Sequence, residues 1–62
     1  MNEKYIIYDL HYREYYESYL DEDGGHVFTN GDIDLAYQFD SYDEAKRFCE
    51  NHFREAVVLK WM

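Results

Sequence analysis

Apolar and polar residues alternate along the first third of the chain in the pattern of two β-strands. The period of two is typical of a strand with one buried side. In residues 4–12, one side carries Ile6, Tyr8, Leu10 and Tyr12, and the other carries Tyr5, Ile7, Asp9 and His11. In residues 15–20, Tyr15, Glu17 and Tyr19 alternate with Tyr16, Ser18 and Leu20. We place the reversal between the two strands at Arg13 and Glu14, although neither Gly nor Asn occurs there.

Glycine-containing segments predict the next two turns. Residues 21–25 end in Gly24 and Gly25, and glycine adopts the positive φ that tight turns need. Residues 26–29 form a short strand candidate, which Asn30 and Gly31 close with a strong turn signal. The segment 33–39 is ambiguous, and one interpretation is a turn of helix at 32–36 followed by an extended stretch at 37–39.

The helix signal after residue 40 is the strongest in the chain. Ser41 and Glu44 have the spacing of a capping box, in which a serine accepts a hydrogen bond from the amide three residues later. An apolar stripe at helical spacing follows, made of Ala45, Phe48, Cys49 and Phe53. Residues 56–62 then predict a last strand, with Val57, Leu59 and Trp61 on one side and Val58, Lys60 and Met62 on the other.

These elements predict one α+β domain over residues 1–62, a small antiparallel β-sheet of three to four strands with one helix packed on one face (β-β-(β)-α-β). One helix covers one face, yet the first and last strands are apolar on both sides. If Ile6 and Tyr8 face the helix, Tyr5 and Ile7 are left on an uncovered face. An uncovered apolar face on a small protein is typical of an interface.

Composition changes the picture in two ways. Hydrophobic residues make up 47% of the chain and aromatic residues 21%, which excludes disorder by composition. The net charge of −8 disfavours direct binding to nucleic acid or to an anionic membrane. The chain has no apolar run long enough to span a bilayer and no secretory leader is expected. The single cysteine, Cys49, excludes an intramolecular disulfide and favours a reducing, cytoplasmic setting, where it packs as a buried apolar residue.

We find no catalytic, cofactor or metal motif, and we expect no enzyme. A calcium loop beginning at Asp21 would have His26 in its sixth position and Asp32 in its twelfth, where Gly and Glu are needed. Cys49 and His52 supply two metal ligands at most, and a structural zinc site needs four. A small domain of one helix on a sheet also has little room for the pocket that catalytic carboxylates require.

The eight tyrosines and fourteen acidic residues are the most informative feature of the composition. We expect Tyr8 and Tyr16 in the core, but strand alternation leaves other rings exposed among carboxylates. Tyrosine is enriched in interface hot spots, and carboxylates steer a basic partner. The predicted partner interface consists of Tyr5, Ile7, Tyr15, Glu17, Tyr19, Asp21, Glu22 and Asp23.

The chain also resembles very short acidic proteins encoded by phages and prophages. Two aromatic strands carry the resemblance, at 4–8 and 15–19, followed by an Ala-x-x-Phe-x-Ser-x-x-Glu-Ala pattern at 36–45 that enters the helix. These motifs are structural and cover most of the chain. The resemblance implies a bacterial cytoplasmic setting and, for several such proteins, inhibition of anti-phage defence systems such as CRISPR effectors or Hachiman-type helicase–nucleases.

We therefore expect a non-enzymatic inhibitor that binds a basic or nucleic-acid-handling bacterial protein. One alternative is a homodimer with a structural or assembly role, in which the uncovered sheet face completes its own core. Another is a DNA mimic, which requires carboxylates in a row on one face. We expect a homodimer in any of these roles, and no cofactor.

Overall fold

Four antiparallel strands and one α-helix make up the computed structural model, which describes residues 3–22 and 24–61. The elements are β1 (Tyr5–Asp9), β2 (Glu14–Leu20), β3 (His26–Asn30), a 3-10 turn (Ile33–Leu35), α1 (Tyr42–His52) and β4 (Ala56–Lys60). The strands lie in the order β3-β2-β1-β4, and α1 packs on one side, mostly over β1 and β4. The predicted α+β fold is confirmed. Met62, in the predicted last strand, lies outside the described residues.

The first strand ends earlier than predicted, because the Asp9 side chain starts a turn. The amides of His11 and Tyr12 donate to Asp9 Oδ1, over 2.8 and 3.4 Å. Arg13 then has a φ of 59°, which reverses the chain before Glu14. Leu10 and Tyr12 are consequently exposed turn residues, and the prediction that the strand runs to residue 12 is wrong.

The helix begins where its capping residue predicts. Ser41 Oγ accepts a hydrogen bond from the Glu44 amide, over 3.2 Å. The other end is closed by Phe53, whose amide donates to the Cys49 carbonyl. The predicted apolar stripe enters the core, where Ala45 and Cys49 are buried and Phe48 and Phe53 pack against them.

The strand register assigns each residue to one of two faces. The helix face contains Tyr5, Ile7 and Asp9 of β1 and, opposite Ile7, Val58 of β4. The open face lies on the other side of the sheet and contains Ile6, Tyr8, Tyr15, Phe28, Val57 and Leu59. Ile7 is 0% exposed beneath α1, so the interpretation that places Ile6 against the helix is reversed. Ile6 is itself 1% exposed but is not part of the helix-face cluster.

A β-bulge in β2 changes the side on which its last residues lie. Tyr16 pairs with Thr29, but the next pair joins Ser18 to Phe28, so Glu17 is the extra residue. Beyond the bulge, Tyr19 pairs with Val27 and packs on the helix side of the sheet, as Tyr16 does. The predicted single face of Tyr15, Glu17 and Tyr19 is therefore wrong, because one inserted residue reverses the alternation.

The segment before the helix fills a gap between β1 and β2. These strands pair at Tyr8–Tyr15 and Asp9–Glu14. Further along, the Tyr37 amide donates to the Tyr16 carbonyl over 2.8 Å, and Phe39 forms a bridge with Tyr5. The helical turn, capped by Asp32, and the bridge at Phe39 agree with one interpretation of this ambiguous segment, a turn of helix followed by an extended stretch. The insertion places the rings of Tyr37 and Phe39 beside Tyr16.

Candidate functional site

The structure separates the residues that the sequence predicted as one interface. Tyr15 is on the open face, Tyr5 and Tyr19 are on the helix face, and Asp21 and Glu22 are exposed in the turn between β2 and β3. Asp23 lies outside the described residues. Ile7 belongs to the core cluster and has no surface for a partner, so its assignment to the interface is wrong. The physical reason is that α1 lies over the Ile7 side of β1.

Tyr5 is engaged within the chain at both ends of its side chain. Its ring meets the edge of Tyr42 at a centroid distance of 5.8 Å, and its hydroxyl donates to Glu3 Oε2 over 3.1 Å. This hydrogen bond is the main reason why the pKa of Tyr5 is raised and that of Glu3 lowered, with Lys60 lowering the pKa of Glu3 further. Tyr5 is thus a weaker interface candidate than the sequence suggested.

The open face is an apolar surface that crosses the sheet. The rings of Tyr8 and Tyr15 face each other across β1 and β2 at 4.9 Å, which is a stabilising cross-strand pair. Val57 and Leu59 continue the surface on β4, and each keeps 39% of its area exposed. Phe28 extends it onto β3 and is also exposed. In residues 3–22 and 24–61, α1 is the only α-helix, and it lies on the other side.

An aromatic cleft of about 350 Å³ opens beside the helix face, at the β-bulge. Its lining consists of five aromatic residues together with Glu17 and Ser18; the aromatic residues are Tyr16, Tyr19, Tyr37, Phe39 and Phe48. The rings of Tyr16 and Phe48 are 4.5 Å apart, and those of Tyr37 and Phe39 are 4.8 Å apart. Tyr37 is 50% exposed, so the cleft presents aromatic surface to solvent.

One wall of the cleft depends on a glycine. The Tyr19 ring stands perpendicular to Phe48 at 5.8 Å and lies 4.9 Å from the His52 ring. Its hydroxyl occupies the space beside Gly25, where an added Cβ would lie only 2.2 Å from Tyr19 Oη. Gly25 also has a φ of 88°, a conformation that other residues rarely adopt. The turn glycine therefore leaves room for Tyr19 against the helix.

The cleft combines neutral hydroxyls with a single charge. Burial raises the pKa of Tyr16, and the neighbouring hydroxyls of Tyr37 and Tyr19 raise it further, so Tyr16 stays protonated. Glu17 is the only charged residue among those that line the cleft. Within the described ranges, no Lys, Arg or His side chain forms a salt bridge with Glu17. The cleft can therefore attract a cation from outside the molecule.

Sequence reasoning missed Tyr37, Phe39 and Phe48 as parts of this site. Phe48 was expected in the core, and the segment 37–39 was expected only to be extended. The available signal was the alternation of aromatic rings at Tyr37 and Phe39. It becomes meaningful once this segment is known to lie beside Tyr16, and that position depends on pairing between residues far apart in sequence.

The carboxylates are distributed over all parts of the fold. Several are engaged within the chain: Asp9 and Asp32 accept backbone hydrogen bonds, Glu14 accepts from Thr29, and Lys4 pairs with Asp40. The other described carboxylates are spread over the fold: Glu3 accepts from Tyr5, Glu17 lies in β2, Asp21 and Glu22 in the β2–β3 turn, Asp34 in the 3-10 turn, Asp43, Glu44 and Glu50 on α1, and Glu55 before β4. This distribution does not favour the DNA-mimic alternative, which needs a row of free carboxylates on one face.

A second cleft, of about 370 Å³, lies at the end of the helix and brings together polar groups. Its lining includes His11, His52, Arg54 and Glu55, with Asp9 at its base. Asp9 Oδ1 is used by the two backbone amides of the β1 turn. Among residues 3–22 and 24–61, no group of three or more His, Cys, Asp or Glu side chains is placed to bind a metal ion.

Cys49 is a buried free thiol on the core side of α1. Burial is the main cause that raises its pKa, which keeps the thiol protonated and unreactive at neutral pH. This agrees with the predicted structural role of the residue. No helix in the described part of the chain combines the length and apolar character needed to cross a membrane.

Comparisons with protein-family models, with curated proteins and with solved structures give no match to this chain.

Proposed function

We propose that this protein acts without catalysis, by binding a basic, nucleic-acid-handling protein in the bacterial cytoplasm and inhibiting it. The observation that supports the proposal most directly is the aromatic cleft, whose lining combines the exposed rings of Tyr19 and Tyr37 with one acidic residue, Glu17, on a molecule with a net charge of −8. Tyrosine-rich surfaces supply contact area, and a negative field speeds approach of a basic partner. The exposed Asp21 and Glu22 of the neighbouring turn add to that field.

Tyr15 and Tyr19 lie on opposite faces of the sheet, which allows a direct test of the proposal. The tagged protein is incubated with nuclease-treated bacterial lysate at low and at high salt, and the bound proteins are identified. Tyr19→Ala removes a wall of the cleft, whereas Tyr15→Ala alters the open face. We expect the wild type and Tyr15→Ala to retain a basic partner that high salt releases, and Tyr19→Ala to lose it. Recovery of no partner, or retention of the same partners by Tyr19→Ala, would contradict the proposal.

The resemblance to small acidic phage proteins directs the search to bacterial defence systems. We propose such a system as the target class, and phage plating provides the functional readout. Expression of the protein in a strain that carries a CRISPR or Hachiman-type system is expected to restore plaque formation. Tyr19→Ala is expected to lose this effect. Unchanged plating across a panel of defence systems would argue against inhibition of anti-phage defence.

The open face favours a second candidate, a homodimer that covers this surface. Val57 and Leu59 each keep 39% of their surface exposed on this face, beside the half-buried Tyr8 and the buried Ile6 of β1. A small domain with a marginal core gains stability by covering such a face with a second copy. This role needs no foreign partner, and a dimer is also compatible with the first proposal.

Sedimentation at micromolar concentration tests the dimer. We expect the wild type to sediment as a dimer and Leu59→Asp to sediment as a monomer, because an unpaired buried carboxylate is costly. The matched control is Tyr42→Asp, which places the same charge at an exposed helix position on the other side. A monomeric wild type, or a dimer that survives Leu59→Asp, would contradict this second candidate.

A further inference from the structure

The aromatic cleft has the composition of a binding site for a single cationic side chain. Its volume of about 350 Å³ lies at the small end of the roughly 300–1,000 Å³ range of ligand pockets. It is bounded on three sides by rings from β2, from the inserted segment 37–39 and from α1. The strand β2 is separated from the other two elements by β3 and the 3-10 turn, so the site exists only in the folded protein.

The rings offer the faces that a cation needs. Tyr16 and Phe48 lie 4.5 Å apart at an angle of 37°, and Tyr37 lies 5.6 Å from Tyr16 at 57°. Tyr16 is itself buried, so the accessible ring surface of the cleft comes from Tyr19 and Tyr37. An exposed ring face attracts Lys and Arg through its negative charge. Tyr37 is half exposed, which keeps one such face accessible.

Glu17 adds the negative charge that a neutral apolar cleft lacks. As the extra residue of the β-bulge, it reaches the lining of the cleft. Of the basic residues on α1, Arg47 lines a neighbouring hollow with Phe39, Glu44 and Phe48. The His52 ring packs against Tyr19 and Phe48, and neither Arg47 nor His52 lines this cleft. The protein therefore provides a carboxylate and aromatic faces without supplying its own cation in the described ranges.

We propose that the cleft binds an arginine side chain presented by the partner protein. The planar guanidinium stacks on aromatic rings and forms paired hydrogen bonds with a carboxylate, which a lysine ammonium does less well. The net charge of −8 favours a partner segment rich in such residues. This inference rests on the proposed function for its biological meaning, but the binding itself can be measured without the partner.

The test uses a capped tripeptide, acetyl-Gly-Arg-Gly-amide, titrated into the isotopically labelled protein and followed by NMR. We expect a dissociation constant on the order of 1–10 mM, as befits one side chain, with shifts centred on the cleft residues. The same peptide with citrulline in place of arginine has the shape but not the charge, and we expect at least about tenfold weaker binding. A lysine peptide is expected to fall between the two.

Two pairs of variants assign the binding to the cleft. Glu17→Gln is expected to weaken the arginine peptide about five- to tenfold, whereas Glu50→Gln, which removes the same charge from an exposed helix position, changes it less than about twofold. Tyr37→Leu is expected to weaken binding about threefold or more, and Tyr37→Phe restores the ring and most of the affinity. Dispersed spectra establish that each variant is folded.

Three results would overturn the inference. They are no saturable shifts with the arginine peptide, equal binding of the citrulline peptide, and equal effects of Glu17→Gln and Glu50→Gln. Its failure is distinct from failure of the proposed function. If a basic partner is captured equally by wild type and Glu17→Gln, the arginine site is wrong while the binding role stands. If the peptide binds the cleft but no partner is captured, the arginine site stands and the proposed binding role is wrong.

Discussion

The helix face and the open face of the sheet both carry apolar residues, but α1 covers only the helix face. On the helix face, Ile7 and Val58 pair under α1, and Ile7 has no exposed surface. On the open face, Val57 and Leu59 come from the same strand as Val58 and keep 39% of their surface exposed. Apolar character thus does not distinguish core from surface here. Position relative to α1 separates these residues, although Ile6 on the open face is also buried.

The comparison also explains why the tyrosines divide into two groups. Tyr16 and Tyr19 are held on the helix face by the bulge at Glu17 and contribute to the core and the cleft. Tyr8 and Tyr15 pair with each other on the open face and strengthen the sheet from that side. Tyr16 is in the core as predicted, whereas Tyr8 is half-buried outside the core cluster.

The largest expected difference between the faces is in stability. Ile7→Ala is expected to lower the free energy of unfolding by about 3 kcal/mol, because it leaves a cavity beneath α1. A domain of this size has a total of only about 3–9 kcal/mol. Val57→Ala removes a partly exposed side chain and is expected to cost less than about 1 kcal/mol. Urea unfolding followed by circular dichroism measures both, and equal losses would contradict the assignment of faces.

The bulge can be removed in two ways that have opposite consequences. Inserting one alanine between Phe28 and Thr29 gives Glu17 a partner, which moves Tyr19 and Val27 to the open face. We expect this to cost about 2 kcal/mol from lost helix-face packing. Deleting Glu17 keeps the pairing of Tyr16 with Thr29 and of Ser18 with Phe28, and is expected to cost about 1 kcal/mol or less.

Contacts between the rings of Tyr19 and Phe48, seen as nuclear Overhauser effects, report the outcome directly. They should persist in the Glu17 deletion and disappear in the β3 insertion. Loss of the contacts in the deletion, or their survival in the insertion, would show that the bulge does not set the side on which Tyr19 lies.

The three glycines separate conformational strain from steric conflict on the helix side. Gly25→Ala places a side chain at a positive φ and in close contact with Tyr19, and we expect the free energy of unfolding to fall by about 2 kcal/mol. Gly24→Ala has a φ of 90° but open space, so about 1 kcal/mol is expected. Gly31→Ala has neither constraint and should be nearly neutral. Thermal unfolding ranks the stability of the three variants. If Gly25→Ala is no less stable than Gly24→Ala, the contact with Tyr19 makes no steric contribution.

The smallest effect concerns pH. Burial raises the pKa of Cys49 above its ordinary 9.0 and that of Tyr16 above 10.0, so the folded state holds both protons more tightly than the unfolded state. Their contribution to stability is present below these ordinary values and is lost as pH rises through the raised ones. Cys49→Ala is expected to make stability fall less steeply above pH 9.0. An unchanged slope would mean that ionisation of the thiol does not differ between the two states.

The candidate site was predictable only in part. Of the residues predicted for the interface, Glu17 and Tyr19 line the aromatic cleft, and their role in binding a partner stays a prediction. The sequence placed Ile7 at the surface because both sides of β1 are apolar, so alternation could not choose between them. It also missed Tyr37 and Phe39, because their position beside Tyr16 depends on hydrogen bonds between segments about 20 or more residues apart.

Local chemistry in the sequence was enough to determine the elements themselves. The Ser41 cap, the helical stripe and the turn glycines each act over a few residues, and the structure confirms them. The strands lie near their predicted positions, but β1 ends at Asp9 and the bulge at Glu17 interrupts the alternation in β2. Only the tertiary structure decided which face α1 covers, where β2 bulges and how the segment 37–39 enters the sheet. Alternation determines which residues share a side, but the choice of the inner side depends on how distant segments pack together. That choice moved Ile7 into the core and brought Glu17 to the aromatic cleft.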